Sequence, residues 1–284
     1  MAIDPGVFLL VLLAAVAHAT WNAFVKAGDD KLVSLCLVIF TTSLGALLVL
    51  PFLPLPAAAA WPFLILSALV HYLYYAALVA AYRHGDLSLA YPIARGSAPI
   101  LVAAGGWLFA GEGLSGWKWA GVLAVSLGIM SLARPGRGKA NDGETKAIVF
   151  ALLTGLTIAG YSLADGLGVR HSGSALAYIA WLFVFSGLPM PIVIRWCRGS
   201  ESVRLVRAHL KIGVFGGLIS GLAYAIVIWA MSITPLALVI SLRETSVLIA
   251  AAIGSLFLKE QFGRRRIAAA AVIVTGAALI NLAG

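Results

Sequence analysis

The sequence predicts an all-α integral membrane protein, with ten transmembrane helices arranged as two inverted five-helix repeats around a central cavity. Three observations predict this fold. Of the 284 residues, 62% are hydrophobic and 11% are charged, whereas soluble domains are about 45–50% apolar and about 25% charged. The apolar residues form ten runs that could each cross a bilayer. Finally, the two halves of the chain share residues at a constant spacing.

The ten predicted spans lie between clusters of charged, glycine and proline residues. A transmembrane helix needs about 20 mostly apolar residues, and no run has the alternating pattern of a barrel strand. In chain order the spans are Val7–Val25, Leu32–Leu53, Pro62–Tyr82, Ser88–Ala110, Trp117–Ala133, Ala147–Asp165, Ser174–Ile194, Ile212–Met231, Leu236–Leu258 and Ile267–Leu282.

The basic residues between the spans predict the orientation. The formal net charge of +9 comes from short clusters between apolar runs, which favours a topology signal over nucleic-acid binding. Sixteen Lys and Arg residues follow odd-numbered spans, and two, Lys118 and Arg170, lie on the other side. Because Lys and Arg mark cytoplasmic loops, we expect the sixteen-residue side to be cytoplasmic. Both termini would then lie outside a multi-pass inner or plasma membrane protein.

The longest basic loop, Arg195–Lys211, has two interpretations. Its apolar residues Val203, Val206 and Leu210 fall on one helical face, which is typical of an interfacial helix on anionic headgroups. The alternative is a solvated basic loop that only sets topology.

An internal repeat organises the chain. A shift of 148 residues aligns nine identical pairs between Arg95 and Gly128 without a gap. The most informative pairs are Arg95 with Arg243, Glu112 with Glu260, and Gly128 with Gly276. The repeat predicts units at 1–140 and 141–284. Because each unit has five spans, an odd number, the second enters the membrane upside down, as in many secondary transporters.

Small residues on two of the spans predict where the units meet. Gly121 and Gly128 share a face of span five, and Ala269 and Gly276 take the equivalent places on span ten. Small residues allow helix backbones to approach closely in membranes. We therefore expect spans five and ten to pack together.

Several short motifs resemble the EamA-domain members of the drug/metabolite transporter superfamily. They are the glutamates that end spans four and nine (Glu112, Glu260), the pair Trp21-Asn22 with Lys26, and the glycines Gly121, Gly128 and Gly276. The resemblance implies a membrane exporter of small metabolites, with the aromatic amino-acid exporters as the closest branch.

Two features of the sequence depart from that superfamily. Members of this size usually have cytoplasmic termini and a basic loop after span two, but here that loop, Pro54–Trp61, has no Lys or Arg. The small four-helix relatives carry a glutamate in their first helix for proton exchange, and span one has no acid.

Charged residues within the spans are the first candidates for a site. They cost roughly 2.5–3.5 kcal/mol on insertion scales, so they usually mark a pathway or a buried pair. Arg95, and Arg243 beside Glu244, either bind the carboxylate of an amino acid or form structural ion pairs. Glu244 and Asp165 are candidates to carry a coupling proton, although Asp165 could instead cap span six or pair with Arg170.

Aromatic and polar side chains complete the predicted substrate site. A hydroxyl or imidazole within a span needs a partner or a wet cavity, so these residues either line the cavity or bond between helices. The predicted binding residues, besides Arg95, Arg243 and Glu244, are Trp21, Asn22, His71, Tyr75, Tyr91, Tyr161, Tyr224 and Trp229. Pro92 and Pro99 predict a broken helix around Arg95.

Together these features predict a secondary active transporter that exports aromatic or apolar amino acids, or related metabolites, by alternating access. A multidrug or cation exporter is the first alternative, and an integral membrane enzyme is the second. No H-E-x-x-H or G-x-S-x-G motif and no metal-ligand spacing of the two cysteines is present. We therefore expect no enzyme activity, cofactor or metal, and a monomer whose partners are a small-molecule substrate and membrane lipid.

Overall fold

A computed structural model describes residues 3–84, 87–133, 142–258 and 264–282. Within these residues the regular secondary structure is helical, with twelve α-helices and three short 3-10 turns. The α-helices are α1 Pro5–Ala27, α2 Lys31–Val49, α3 Trp61–His84, α4 Leu87–Ala110, α5 Gly116–Met130, α6 Asp142–Arg170, α7 Ala175–Gly187, α8 Met190–Arg198, α9 Ser202–Ile233, α10 Leu236–Glu244, α11 Ser246–Leu258 and α12 Arg264–Leu282.

The helices confirm the all-α membrane fold. Six helical segments in the described part of the chain are long and apolar enough to cross a membrane. The last of them, Ala175–Ile233, contains α7, α8 and α9, while α5 is a shorter apolar helix. Each of the ten predicted spans falls on one helix or on two consecutive helices.

The breaks within spans differ from the prediction. The expectation that Pro92 and Pro99 interrupt span four is wrong, because α4 runs through both. Residues 92–99 are all buried, so packing holds this helix together despite two missing donors. The break lies instead in span nine, between α10 and α11. There the hydroxyl of Thr245 donates to the carbonyl of Leu242 (2.6 Å).

The basic segment Arg195–Lys211 is helical rather than a loop. It covers the end of α8 and the first turns of α9, and α9 continues from it into span eight. Exposed Trp196, Val203 and Leu210 lie in the same segment as exposed arginines. The segment is therefore largely helical, and its position at the lipid headgroups stays a prediction.

The packing of the helices has the pattern of two related halves. α3 packs against α6 as α1 packs against α9, and α4 packs against α6 as α10 and α11 pack against α1. The pairs α2–α7, α4–α10 and α5–α12 each join equivalent helices of the two halves. Exchanging the halves leaves this pattern unchanged, as a pseudo-two-fold axis requires.

The alternation of the spans defines two ends of the bundle. We call face 1 the end at which α1, α3 and α5 finish and α6 and α9 begin. Face 2 is the opposite end, at which α4, α6 and α9 finish and α10 begins. The basic segment around Arg198 lies at face 1, and the short loops around Glu112 and Arg170 lie at face 2.

The predicted contact between spans five and ten is present. A Cβ added at Gly276 of α12 would lie 2.8 Å from both the carbonyl oxygen of Gly121 and the amide nitrogen of Val125. A Cβ added at Gly128 would lie 2.7 Å from the side chain of Ile273. Glycine thus allows the backbones of α5 and α12 to touch.

Candidate substrate site

Two arginines, one from each half, share a single carboxylate near the centre of the bundle. Arg95 on α4 donates to Oε1 of Glu244 on α10 at 3.1 Å. Arg243 donates to the same oxygen through Nη2 (2.8 Å) and Nε (3.2 Å). All three side chains are at most 6% exposed. With the carboxylate ionised, this trio carries a net charge of +1.

The other oxygen of the same carboxylate has no donor. Among the described residues, nothing hydrogen-bonds to the buried Oε2 of Glu244. A buried carboxylate oxygen without a donor is costly, so this atom is a ready acceptor for a bound group.

His18 on α1 receives more donors than an imidazole can accept. Nη2 of Arg95 contacts Nε2 of His18, and Nε1 of Trp21 lies 3.3 Å from Nδ1 of the same ring. Arg and Trp only donate, while a neutral imidazole accepts at one nitrogen only. While the imidazole is neutral, only one of these two contacts is a hydrogen bond, so His18 cannot satisfy Arg95 and Trp21 at the same time.

Aromatic rings surround the charged trio. Tyr161 on α6 stacks on His71 on α3, with 4.1 Å between the ring centroids. The hydroxyl of Tyr161 lies 3.5 Å from Nη2 of Arg243. Arg95 lies over the ring of Tyr91 and Arg243 over the ring of Tyr224, at 5.5 Å and 6.0 Å from the centroids. The rings of Tyr91 and Tyr224 therefore make cation–π contacts with the two guanidinium groups.

A second acidic group lies near the charged trio, on the other side of Tyr224. Asp165 on α6 is fully buried and accepts from the hydroxyls of Tyr224 (2.6 Å) and Tyr178 (3.1 Å). Tyr224 thus joins the two polar groups, since its ring faces Arg243 and its hydroxyl binds Asp165. The predicted alternatives for Asp165 are wrong: α6 continues to Arg170, so Asp165 is not at the helix end, and Arg170 pairs with Glu112 instead.

The structure brings most of the predicted residues together. Arg95, Arg243, Glu244, Asp165, His71, Tyr91, Tyr161 and Tyr224 form the cluster described above. Tyr75 contacts it through Tyr74, whose ring packs against Tyr161. Trp21 joins it through His18, and the amide of Asn22 donates to the backbone of His18.

Trp229 lies apart from the cluster. It is 37% exposed and lies more than one helical turn beyond Tyr224 on α9. The ring therefore faces outward, which is typical of an aromatic residue near a lipid boundary.

Three residues of the site were not among the predicted binding residues. His18, Tyr74 and Tyr178 each place a polar group within an apolar helix. Such a group needs a partner in the membrane, and that rule would have selected them. The partners that join them to the charged groups and to Tyr161 lie on other helices, so the sequence does not show these contacts.

The residues above contain no obvious metal centre. In the described ranges no group of three or more His, Cys, Asp or Glu side chains is placed to hold a metal ion. Glu260, the repeat mate of Glu112, lies outside the described residues.

A multi-pass helical membrane protein of two related halves, with a charged and aromatic centre contributed by both, has the architecture of a membrane transporter. The model of the EamA-like transporter family matches residues 5–134 and again 145–282. The chain therefore belongs to the EamA-like transporter family, with two copies of its domain.

Comparison with solved structures agrees with this fold. In all, 28 chains of known structure match. One of them, titled only as the crystal structure of a protein, has a TM-score of 0.69 over 98% of this chain and 96% of its own, at 18% identity. At that identity the likeness shows the fold alone. No curated protein matches the chain.

Proposed function

We propose that this protein is a secondary active transporter that exports aromatic or apolar amino acids, or related carboxylate-bearing metabolites, by alternating access. The units 1–140 and 141–284 would move against each other around the central cluster. Inverted halves with a shared central site can adopt two states, one open to each side.

The net charge of the trio formed by Arg95, Arg243 and Glu244 carries the proposal. Two guanidinium groups share one carboxylate oxygen, which leaves one positive charge without a full partner. A substrate carboxylate would accept a hydrogen bond from Nη2 of Arg95, which contacts His18 in this structure, and would balance the remaining positive charge. Arginine is suited to this role because its planar fork matches a carboxylate.

The remaining groups fit the rest of an amino acid. Oε2 of Glu244 could accept from an α-ammonium group, because no described residue donates to it. The rings of His71, Tyr161 and Tyr224 could contact an apolar or aromatic side chain. Asp165 is the proposed site of a coupling proton, since it is buried and accepts hydrogen bonds from the neutral hydroxyls of Tyr178 and Tyr224.

Counterflow in proteoliposomes tests the proposal. Vesicles loaded with an unlabelled amino acid should accumulate the same radiolabelled amino acid from outside. We expect Arg95→Ala to reduce counterflow by at least about tenfold, because the proposed carboxylate ligand is lost. Arg204→Ala is the matched control, since Arg204 is an exposed arginine that pairs with nearby Glu201 in the described part of the chain.

The assay also tests the leading alternative, a cation exporter. The open oxygen of Glu244 and the aromatic rings are the features that favour a cation. Transport of a cationic dye without counterflow of any amino acid would support that alternative and reject the amino-acid proposal. Repeating the assay across a pH gradient separates proton coupling from facilitated diffusion.

The proposed orientation has its own test. The charge distribution supports an orientation with face 1, which holds the basic segment, in the cytoplasm and with both termini outside. Accessibility of tags at the termini in intact cells would decide the orientation.

A further inference from the structure

Two ion pairs hold the two halves of the protein together at opposite faces. Glu112 pairs with Arg170 at face 2, and Asp30 pairs with Arg198 at face 1. In each pair the acid belongs to the first half and the arginine to the second. We name them clamp 2 (Glu112–Arg170) and clamp 1 (Asp30–Arg198).

Clamp 2 joins the ends of four helices. Oε1 of Glu112 lies 2.6 Å from Nη2 of Arg170, and Oε2 accepts from the backbone amide of Leu236 at 2.8 Å. Arg170 also donates to the carbonyls of Met231 and Thr234, each at 2.9 Å. The clamp therefore holds the ends of α4, α6 and α9 to the start of α10.

Clamp 1 has a similar number of contacts. The carboxylate of Asp30 accepts from Nε (2.6 Å) and Nη2 (3.1 Å) of Arg198. It also caps α2 by accepting from the amides of Leu32 and Val33. The amide of Asp30 donates to Nε2 of His209, a buried residue on α9. The clamp therefore holds the connection between α1 and α2 to α8 and α9.

The clamped helices carry the charged residues of the central cluster. Arg95, Asp165 and Glu244 lie on α4, α6 and α10, which meet at clamp 2. His18 lies on α1, which ends at clamp 1, and Tyr224 lies on α9, which clamp 1 also holds. Both clamps are closed in this structure, and the charged trio lies buried between them.

We propose that clamp 1 and clamp 2 are the two gates of the transport cycle, and that one opens while the other stays closed. The proposal rests on the alternating-access part of the proposed function. Breaking one clamp removes contacts only from states in which that face is closed. The population then shifts toward the state that is open at that face, and the opposite face closes more often.

Thiol labelling in the full-length protein tests the proposal without a substrate. The native cysteines are first replaced (Cys36→Ala, Cys197→Ser), and one probe is added near each clamp. Thr234→Cys reports on face 2, because Thr234 is buried and its carbonyl accepts from Arg170. Ser34→Cys reports on face 1, because Ser34 is buried in the first turn of α2. Labelling rates with a polar maleimide are measured in lipid nanodiscs.

Opposite responses of the two probes are the expected result. Glu112→Gln should raise labelling of the face 2 probe at least about tenfold and lower labelling of the face 1 probe. Asp30→Asn should do the reverse. Arg170→Gln should reproduce Glu112→Gln, and the double variant should add little, because both substitutions break one interaction.

A surface ion pair provides the matched control. Glu201 and Arg204 also pair at face 1, at 3.2 Å, but both are exposed and both belong to the second half. Glu201→Gln should therefore leave both labelling rates unchanged.

Two outcomes would overturn the proposal. The first is that both probes become reactive together in one clamp variant, which would mean that the variant loosens the fold instead of opening one gate. The second is that the labelling rates of the clamp variants equal those of the Glu201→Gln control. Counterflow by the wild-type protein is measured independently of these labelling rates. The gate proposal can therefore be rejected while the transport proposal is supported, and the transport proposal can be rejected while the gate proposal is supported.

Discussion

Replacing Gly276 with alanine tests how the two halves are held together. A Cβ at this position would lie 2.8 Å from two backbone atoms of α5, the oxygen of Gly121 and the nitrogen of Val125. Real Cβ atoms do not approach so closely, and backbone cannot move aside as a flexible side chain can. Overpacking of this kind costs about 1–3 kcal/mol. Alanine recovers about 0.5–1 kcal/mol of helix propensity, so we expect a net loss of about 0.5–2 kcal/mol.

Thermal unfolding in detergent, with Gly45→Ala as the matched control, measures this loss. Gly45 lies within α2 and a Cβ there meets nothing within 4 Å, so the control should keep or raise the unfolding temperature. For a chain of this size, the loss in Gly276→Ala corresponds to a fall of about 1–4 °C. Equal midpoints for the two variants would refute the close contact between α5 and α12.

Three further predictions concern the polar groups. The hydrogen bond from Arg198 lowers the pKa of Asp30, so the ion pair stabilises the fold above about pH 4, and this stabilisation is lost as the pH falls through the lowered pKa. Acidification from about pH 5 to 3 should therefore lower the unfolding temperature more in the wild type than in Arg198→Ala. Parallel curves of unfolding temperature against pH would contradict this prediction. Asp165→Asn should abolish stimulation of transport by a pH gradient while counterflow continues, and stimulation that persists would exclude Asp165 as the proton site. Tyr161→Ala should weaken substrate affinity up to about tenfold, since an aromatic pair is worth about 0.5–1.5 kcal/mol. Tyr161→Phe keeps the ring that stacks on His71 and should change the affinity little. Similar affinities of the two variants in competition counterflow would argue against a role of the ring.

The spans and the seam between the halves could be predicted because they depend on local composition. Apolar runs predict membrane helices wherever the chain is long enough to cross. The matched glycines predicted the contact of α5 with α12, because small residues at equivalent places can meet only if the repeats face each other.

The partners of the charged residues could not be predicted in the same way. The shift of 148 residues equates Arg95 with Arg243, but it does not show that both bind Glu244. Asp165 lies five residues before Arg170 in the sequence, and yet each binds groups on other helices. Sequence distance is a poor guide here, because a buried charge is stabilised by whichever donor the fold brings within reach.

The asymmetry between the repeats explains why the trio of Arg95, Arg243 and Glu244 has an excess positive charge. The repeat mate of Glu244 is Gly96, and a Cβ at Gly96 would lie 2.8 Å from the carbonyl oxygen of Ser126 on α5. The first half therefore has no room for an acid beside Arg95, which must share the acid of the second half. One carboxylate cannot fully neutralise two buried guanidinium groups, and an uncompensated buried charge is costly. A carboxylate supplied from outside the chain would remove that cost, which is the physical basis for proposing a substrate that carries an anionic group.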